Sequence, residues 1–153
     1  FSKVNISNNN IFRIRGEEKP EIEASIYTEL LKTKTEIIKN IPSLDLCLLG
    51  VGGDGHTASI FPHELKKLRD KSECVVGINP DSGQKRVSLS IKQINNSKKI
   101  IFHVCGSGKK DVVDMIISKR DNYLDLPASH IFPKSKNLSW YLDFDSAETF
   151  MGT

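Results

Sequence analysis

A chain of 153 residues with 38% hydrophobic and 27% charged side chains has the balance of one globular domain able to bury a core. Its formal charge of +3 comes from lysines scattered in pairs such as Lys66-Lys67 and Lys98-Lys99, too thin for a nucleic-acid footprint but suited to drawing a small anion into a cleft. No apolar run approaches the length of a membrane span and residues 1–20 carry no secretory pattern, so the expected compartment is cytoplasmic, with neither nucleic acid nor membrane as partner. Cys47, Cys74 and Cys105 are odd in number and set in apolar runs, which predicts reduced core residues and no disulfide frame.

Phe1 to Ile14 reads as an extended segment leading to Arg15-Gly16-Glu17. Pro20, followed by Glu21 and Glu23, is a helix start, because proline suits the first helical position and acids offset the positive end of the helix dipole. Ile22, Ile26 and Leu30, flanked by Tyr27 and Leu31, repeat at i, i+4 and i+8. They predict a helix over about 20–39 that packs this face on a sheet, with Pro42 closing the segment. Leu44 to Leu49 then reads as a strand buried on both faces, the kind found in parallel sheets covered by helices.

This strand empties into Gly50-Val51-Gly52-Gly53-Asp54-Gly55-His56-Thr57-Ala58-Ser59-Ile60-Phe61-Pro62. Glycines let a backbone approach a ligand closely, and in open α/β sheets ligands sit at the carboxyl ends of the strands. His56 stands two residues from Asp54 on that rim, where a general base belongs, and imidazole titrates near neutral pH. Asp54 reads either as a turn residue accepting backbone N–H bonds or as the group that holds His56 or a substrate hydroxyl. A metal on Asp54, His56 and His63 is a weak competitor, since His63-Glu64-Leu65 repeats no histidine at helical spacing. No metal or cofactor is expected.

His63 to Arg69 reads as short helical or irregular structure and Glu73 to Ile78 as a strand, ended by the turn cluster Asn79-Pro80-Asp81-Ser82-Gly83. Arg86 to Ile91 alternates like a strand. Lys99 to Cys105 is the next buried strand, followed by Gly106-Ser107-Gly108-Lys109-Lys110 and a helix marked by Val112, Val113, Ile116 and Ile117. A nucleotide-binding P-loop is excluded, because His103 and Lys110 stand where it needs glycine and a hydroxyl residue. His103 and His130 lie in strand-like contexts and read as structural. Strands alternating with helices give an α/β class with a mostly parallel sheet and flanking helices.

Positions 50–62 resemble the 6-phosphogluconolactonase signature, Gly-x-Gly-x-Asp-Gly-His-Thr-Ala-Ser-(Leu or Ile)-Phe-Pro. Arg86-Val87-Ser88-Leu89-Ser90, Gly106 to Lys109, Leu126 to Ser129 and Leu138 to Asp143 resemble further blocks of that family, the last of which implies a strand leading into a final helix, so that the resemblance runs from about 11 to 148. Glucosamine-6-phosphate deaminases share the Asp-Gly-His core but carry a glutamate where this chain has Phe61. The resemblance implies the modified Rossmann-like fold of lactonases and aminosugar deaminases, and hydrolysis of 6-phospho-D-glucono-1,5-lactone. It implies His56 as base and Asp54 as its support, the backbone around Gly52 and Gly53 as oxyanion donors, and Arg86 and Lys109 as phosphate-binding cations. Arg15 and Glu17 belong to a block of relatives but read equally as surface residues. Relatives also carry an upstream part of the sheet and a Ser-Gly-Gly loop, so the chain is expected to be a fragment holding one α/β lactonase domain. Two further readings stand beside this one: a non-catalytic phosphosugar-binding module and a deaminase-like isomerase. Fusion to a dehydrogenase of the same pathway, as in some lactonases, is left open.

Overall fold

The computed structural model describes residues 3–151, so the first two residues of the expected extended segment lie outside the described residues. From Lys3 to Ile14 the chain is irregular around one 3-10 turn at Asn8–Asn10. Helix α1 spans Pro20–Lys34, with Pro20 at its start, Glu21 and Glu23 in the first turn, and Lys32 and Lys34 in the last, each charge matched to the helix dipole.

The face that α1 buries is not the one the isoleucines predicted. Glu23, Ala24 and Leu31 point inward, whereas Ile22 and Ile26 are about half exposed. Glu23 explains this rotation. Its carboxylate accepts from the Arg15 backbone N–H and from Arg15 Nε, both at 2.8 Å, and pairs with Nη2 at the same distance. A buried carboxylate so satisfied occupies the inner face that a periodicity count reserves for apolar side chains. Glu17 pairs instead with Arg13 at the surface.

The helix also ends earlier than predicted. Thr35 is extended and turns its hydroxyl back to Leu31 O at 2.8 Å. Lys39 and Asn40, at φ 53° and 62°, then form a tight turn joining β1 (Glu36–Ile38) to β2 (Ile41–Ser43). Two successive left-handed residues are what a two-residue hairpin turn requires. Pro42 therefore sits inside a strand, opposite Ile37, and does not mark a helix end.

The main sheet is parallel, in the order β3-β6-β7, from β3 (Cys47–Leu49), β6 (Ile100–Val104) and β7 (Leu138–Leu142). One face carries Cys47, Leu49, Ile100, Phe102 and Val104 into the core, where Ile60, Ile94, Val113 and Ile131 complete the cluster. Phe102 stacks on Trp140 at 4.1 Å between ring centres. On the opposite face Leu48 is 65% and Tyr141 55% exposed, so β3 is buried on one face only and not on two. Successive side chains of a strand point to opposite faces, and α3 (Lys110–Ile117) packs its apolar stripe on the inner one. Cys47 and Cys74 are buried, but Cys105 is exposed, which corrects its placement in the core.

A separate antiparallel ribbon pairs β4 (Cys74–Ile78) with β5 (Lys85–Leu89) through a turn at Gly83, φ 67°. It packs against α1 through Cys74, Ala24 and Leu31. Strand β5 ends where Ser90 caps α2 (Ile91–Ile94) by accepting from Gln93 N–H. Pro127–His130 is a 3-10 turn with His130 at its end, hydrogen-bonded to Leu124 O at 2.7 Å, and is not strand-like. Asp143 caps α4 (Phe144–Ala147), the helix expected after the last strand. Among the described residues no helix is long and apolar enough to cross a membrane.

Candidate active site

Parallel pairing brings the carboxyl ends of β3 and β6 out at the same edge of the sheet, and each runs into a glycine loop. The loop after β3 closes on itself: Gly52 N–H donates to His56 O at 2.8 Å, Gly55 N–H to Gly52 O at 2.9 Å, and the buried Thr57 hydroxyl to Gly50 O at 2.9 Å. Gly55, at φ 83°, makes the reversal, and Ala128 N–H reaches its carbonyl at 3.0 Å. This short cycle stands His56 over Phe61, whose ring centre lies 4.8 Å away and whose side chain is fully buried.

His56 Nδ1 lies 2.6 Å from Asp54 Oδ1, and the His56 backbone N–H donates to the same oxygen at 3.1 Å. Burial pushes the Asp54 carboxyl up, but the bonds from the His56 backbone and ring outweigh it and hold the carboxyl below its ordinary value. Asp54 is therefore ionised at neutral pH and can only accept. In the neutral imidazole this partner sets the tautomer, with the proton on Nδ1 and the lone pair on Nε2.

The loop after β6 begins at Gly106, φ 96°, whose N–H is shared by the two Asp143 carboxylate oxygens at 3.1 and 2.9 Å. Ser146 and the Gly106 amide hold the Asp143 carboxyl below its ordinary value. This anchor carries Lys109 to the start of α3. The two loops meet where a Cβ on Gly53 would lie 3.5 Å from Gly108 O.

His56, Gly52, Ser59, Ser88 and Lys109 line one cavity of about 570 Å³, floored by Leu49, Val51 and Ile94. The structure thus brings His56, Asp54, Gly52, Gly53 and Lys109 together. Arg86 is itself exposed on the ribbon and stands outside the cavity lining, with its Nε 3.3 Å from Gln84 Oε1. The Gly52 N–H expected as an oxyanion donor is engaged inside the loop, whereas the Gly53 N–H makes no hydrogen bond among the described residues. His63 stacks on Phe61 at 5.9 Å between ring centres, and no three His, Cys, Asp or Glu side chains among the described residues are grouped to hold a metal ion.

Ser59, Ser88 and Asp143 are site residues that the sequence reading did not single out. Asp143 was findable as a helix cap before Phe144; Ser59 and Ser88 meet only across the fold, 29 residues apart.

The family profile of glucosamine-6-phosphate isomerases/6-phosphogluconolactonase matches residues 1–140. The 6-phosphogluconolactonase of Aggregatibacter actinomycetemcomitans is 35% identical over 148 residues, covering 97% of this chain and 62% of the relative. A GDH/6PGL endoplasmic bifunctional protein of Homo sapiens is 36% identical over 104 residues, 68% of this chain and 13% of that protein. The crystal structure of devB protein superposes with a TM-score of 0.90 at 38% identity, covering 97% of this chain and 62% of that one. The chain spans between 45% and 62% of the length of the first curated lactonases it matches.

Proposed function

Because the chain belongs to the glucosamine-6-phosphate isomerase/6-phosphogluconolactonase family, we propose that it is the lactonase part of an enzyme hydrolysing 6-phospho-D-glucono-1,5-lactone to 6-phospho-D-gluconate in the oxidative pentose phosphate pathway. The observation that carries this reading is the Asp54–His56 pair, 2.6 Å apart, whose His56 lines one cavity with Lys109. Nε2 takes a proton from water as the water oxygen bonds to C1 of the lactone. The oxyanion that forms is met by the Gly53 N–H, unengaged among the described residues. Collapse breaks the bond from C1 to the ring oxygen, which receives the same proton back from Nε2. The Asp54 carboxylate stabilises the imidazolium in between.

Lys109, at the head of α3, is the cation placed to receive the phosphate, and Arg86 is a second cation that substrate would have to draw toward the cavity. The chain acts here as one α/β lactonase domain needing no cofactor, with a small phosphosugar lactone as partner. The cytoplasmic assignment is supported by three free cysteines. The bifunctional relative supports fusion or association with a dehydrogenase of the same pathway.

Phe61 argues against the deaminase alternative. It occupies, as a buried ring beneath His56, the position where the deaminase sequence carries a carboxylate. The full-length protein should accelerate disappearance of 6-phosphogluconolactone above its spontaneous hydrolysis and leave glucosamine 6-phosphate unchanged. Binding of the product without turnover would establish the non-catalytic alternative.

A further inference from the structure

The loop carrying His56 is braced from outside by the β4–β5 ribbon. Ser88 of β5 is 3% exposed; its Oγ accepts the Ser59 N–H at 3.0 Å and donates to Leu89 O at 3.0 Å. On the paired strand, Gly77 lies so close to Ser59 that a Cβ there would stand 1.9 Å from the Ser59 carbonyl oxygen. Ser59 is thus gripped at its N–H and at its C=O by two strands of one ribbon. Immediately before it Ala58 sits at φ 50°, a left-handed conformation that a non-glycine residue keeps only where its surroundings fix it.

The ribbon's register adds a second link. Gly77 pairs with Arg86, and Arg86 and Ser88, two apart on β5, share a face. The cation, the buried hydroxyl and the glycine notch therefore lie on the side of the ribbon that meets the loop.

We propose that Ser88 and Gly77 are positioning residues, which set His56 relative to Arg86 by holding the Ser59 peptide against the ribbon. The inference rests on the reading of His56 as the base. Losing the hydroxyl would leave the Ser59 N–H without its acceptor, and a misplacement of about 1 Å can cost about a hundredfold in rate. Both act by placing His56, whereas Lys109, the cation that lines the cavity, stands on a different loop, so the effect belongs in kcat and not in the affinity for the phosphate.

The test uses the full-length enzyme and four variants: Ser88→Ala, Ser88→Thr, Gly77→Ala and His56→Gln. Ser88→Ala and Gly77→Ala are expected to lower kcat by about 10- to 100-fold with KM within about threefold. Ser88→Thr, which keeps the hydroxyl, should recover most of the loss. Amide hydrogen exchange at Ser59 should quicken in Ser88→Ala, a readout available even if turnover falls below detection. Wild-type kcat in Ser88→Ala, or unchanged Ser59 exchange in that variant, overturns the proposal. If His56→Gln keeps full turnover, it is the base assignment that fails; an inactive His56→Gln beside a fully active Ser88→Ala refutes the positioning role alone.

Discussion

Gly52 lies directly beneath the ring of His56: a Cβ on Gly52 would stand 2.1 Å from His56 Nδ1 and 2.5 Å from Asp54 Oδ1. The hydrogen bond between these two side chains therefore exists only because position 52 has no side chain. Gly52→Ala should push the imidazole off Asp54 and lower kcat by about a hundredfold, while thermal unfolding shifts little because the atoms displaced belong to a side chain at the cavity wall. An alanine variant with unchanged kcat would show that the pair is not needed in this geometry.

His56→Gln removes the only proposed base. General acid–base catalysis contributes about 10²- to 10⁴-fold, so kcat should fall by that order, after subtraction of spontaneous hydrolysis, with binding of 6-phosphogluconate largely retained. Asp54→Asn should fall within the same range. Its amide would donate to Nδ1, moving the ring proton to Nε2 and blocking the base. Near-normal turnover in either variant counts against the mechanism.

The phosphate should be felt by Lys109 before Arg86, because Lys109 lines the cavity and Arg86 does not. Lys109→Ala is expected to raise KM by about tenfold or more, a charge-assisted hydrogen bond contributing about 1.5 to 3 kcal/mol. It should also erode the preference for phosphorylated over unphosphorylated lactone. Arg86→Ala should act in the same direction by a smaller factor. Steady-state comparison of glucono-1,5-lactone and its 6-phosphate decides the order, and an undiminished preference in both variants would move the phosphate elsewhere.

Acid stability should depend on Glu23. Burial pushes its carboxyl up, but the backbone and side-chain bonds from Arg15 prevail and hold it below its ordinary value of 4.5. A carboxyl depressed in the folded state stabilises the protein above its unfolded value and loses that contribution as pH falls through the folded one. Urea unfolding followed from pH 6 downward should therefore show wild type losing stability below about pH 4.5, with a shallower acid limb in Glu23→Gln. At pH 7 that variant should be less stable by about 1 to 3 kcal/mol. Parallel acid limbs would place the titrating group elsewhere.

Dialysis against EDTA should leave lactone turnover unchanged, since the lactone carbonyl is already electrophilic and Nε2 can activate water. Loss of activity that zinc alone restores would bring His63 into the site with Asp54 and His56.

Much of the site was readable because its residues lie within one short stretch. The run from Gly50 to Pro62 sets a base, its carboxylate and the glycines they need within a few residues of one another, and local spacing places them on one turn whatever the rest of the chain does. The strands at Cys47 and Ile100 were legible for a similar reason, as short apolar runs leading into glycine, whereas the strand at Leu138 was legible through the family resemblance. The sequence left unresolved whatever depends on a partner distant along the chain. Spacing in α1 pointed to Ile22 and Ile26, but the inner face went to Glu23 because Arg15 could reach it. The hairpin at Lys39-Asn40 replaced a helical end because two residues adopted a left-handed turn that their side chains permit without demanding. Ser88 and Gly77 came to brace the loop at Ser59, and Lys109 rather than Arg86 entered the cavity, through strand register and the Asp143 anchor on Gly106. A periodicity reports which residues share a face; which face is buried, and what it meets, is settled when buried charges and backbone groups find their partners.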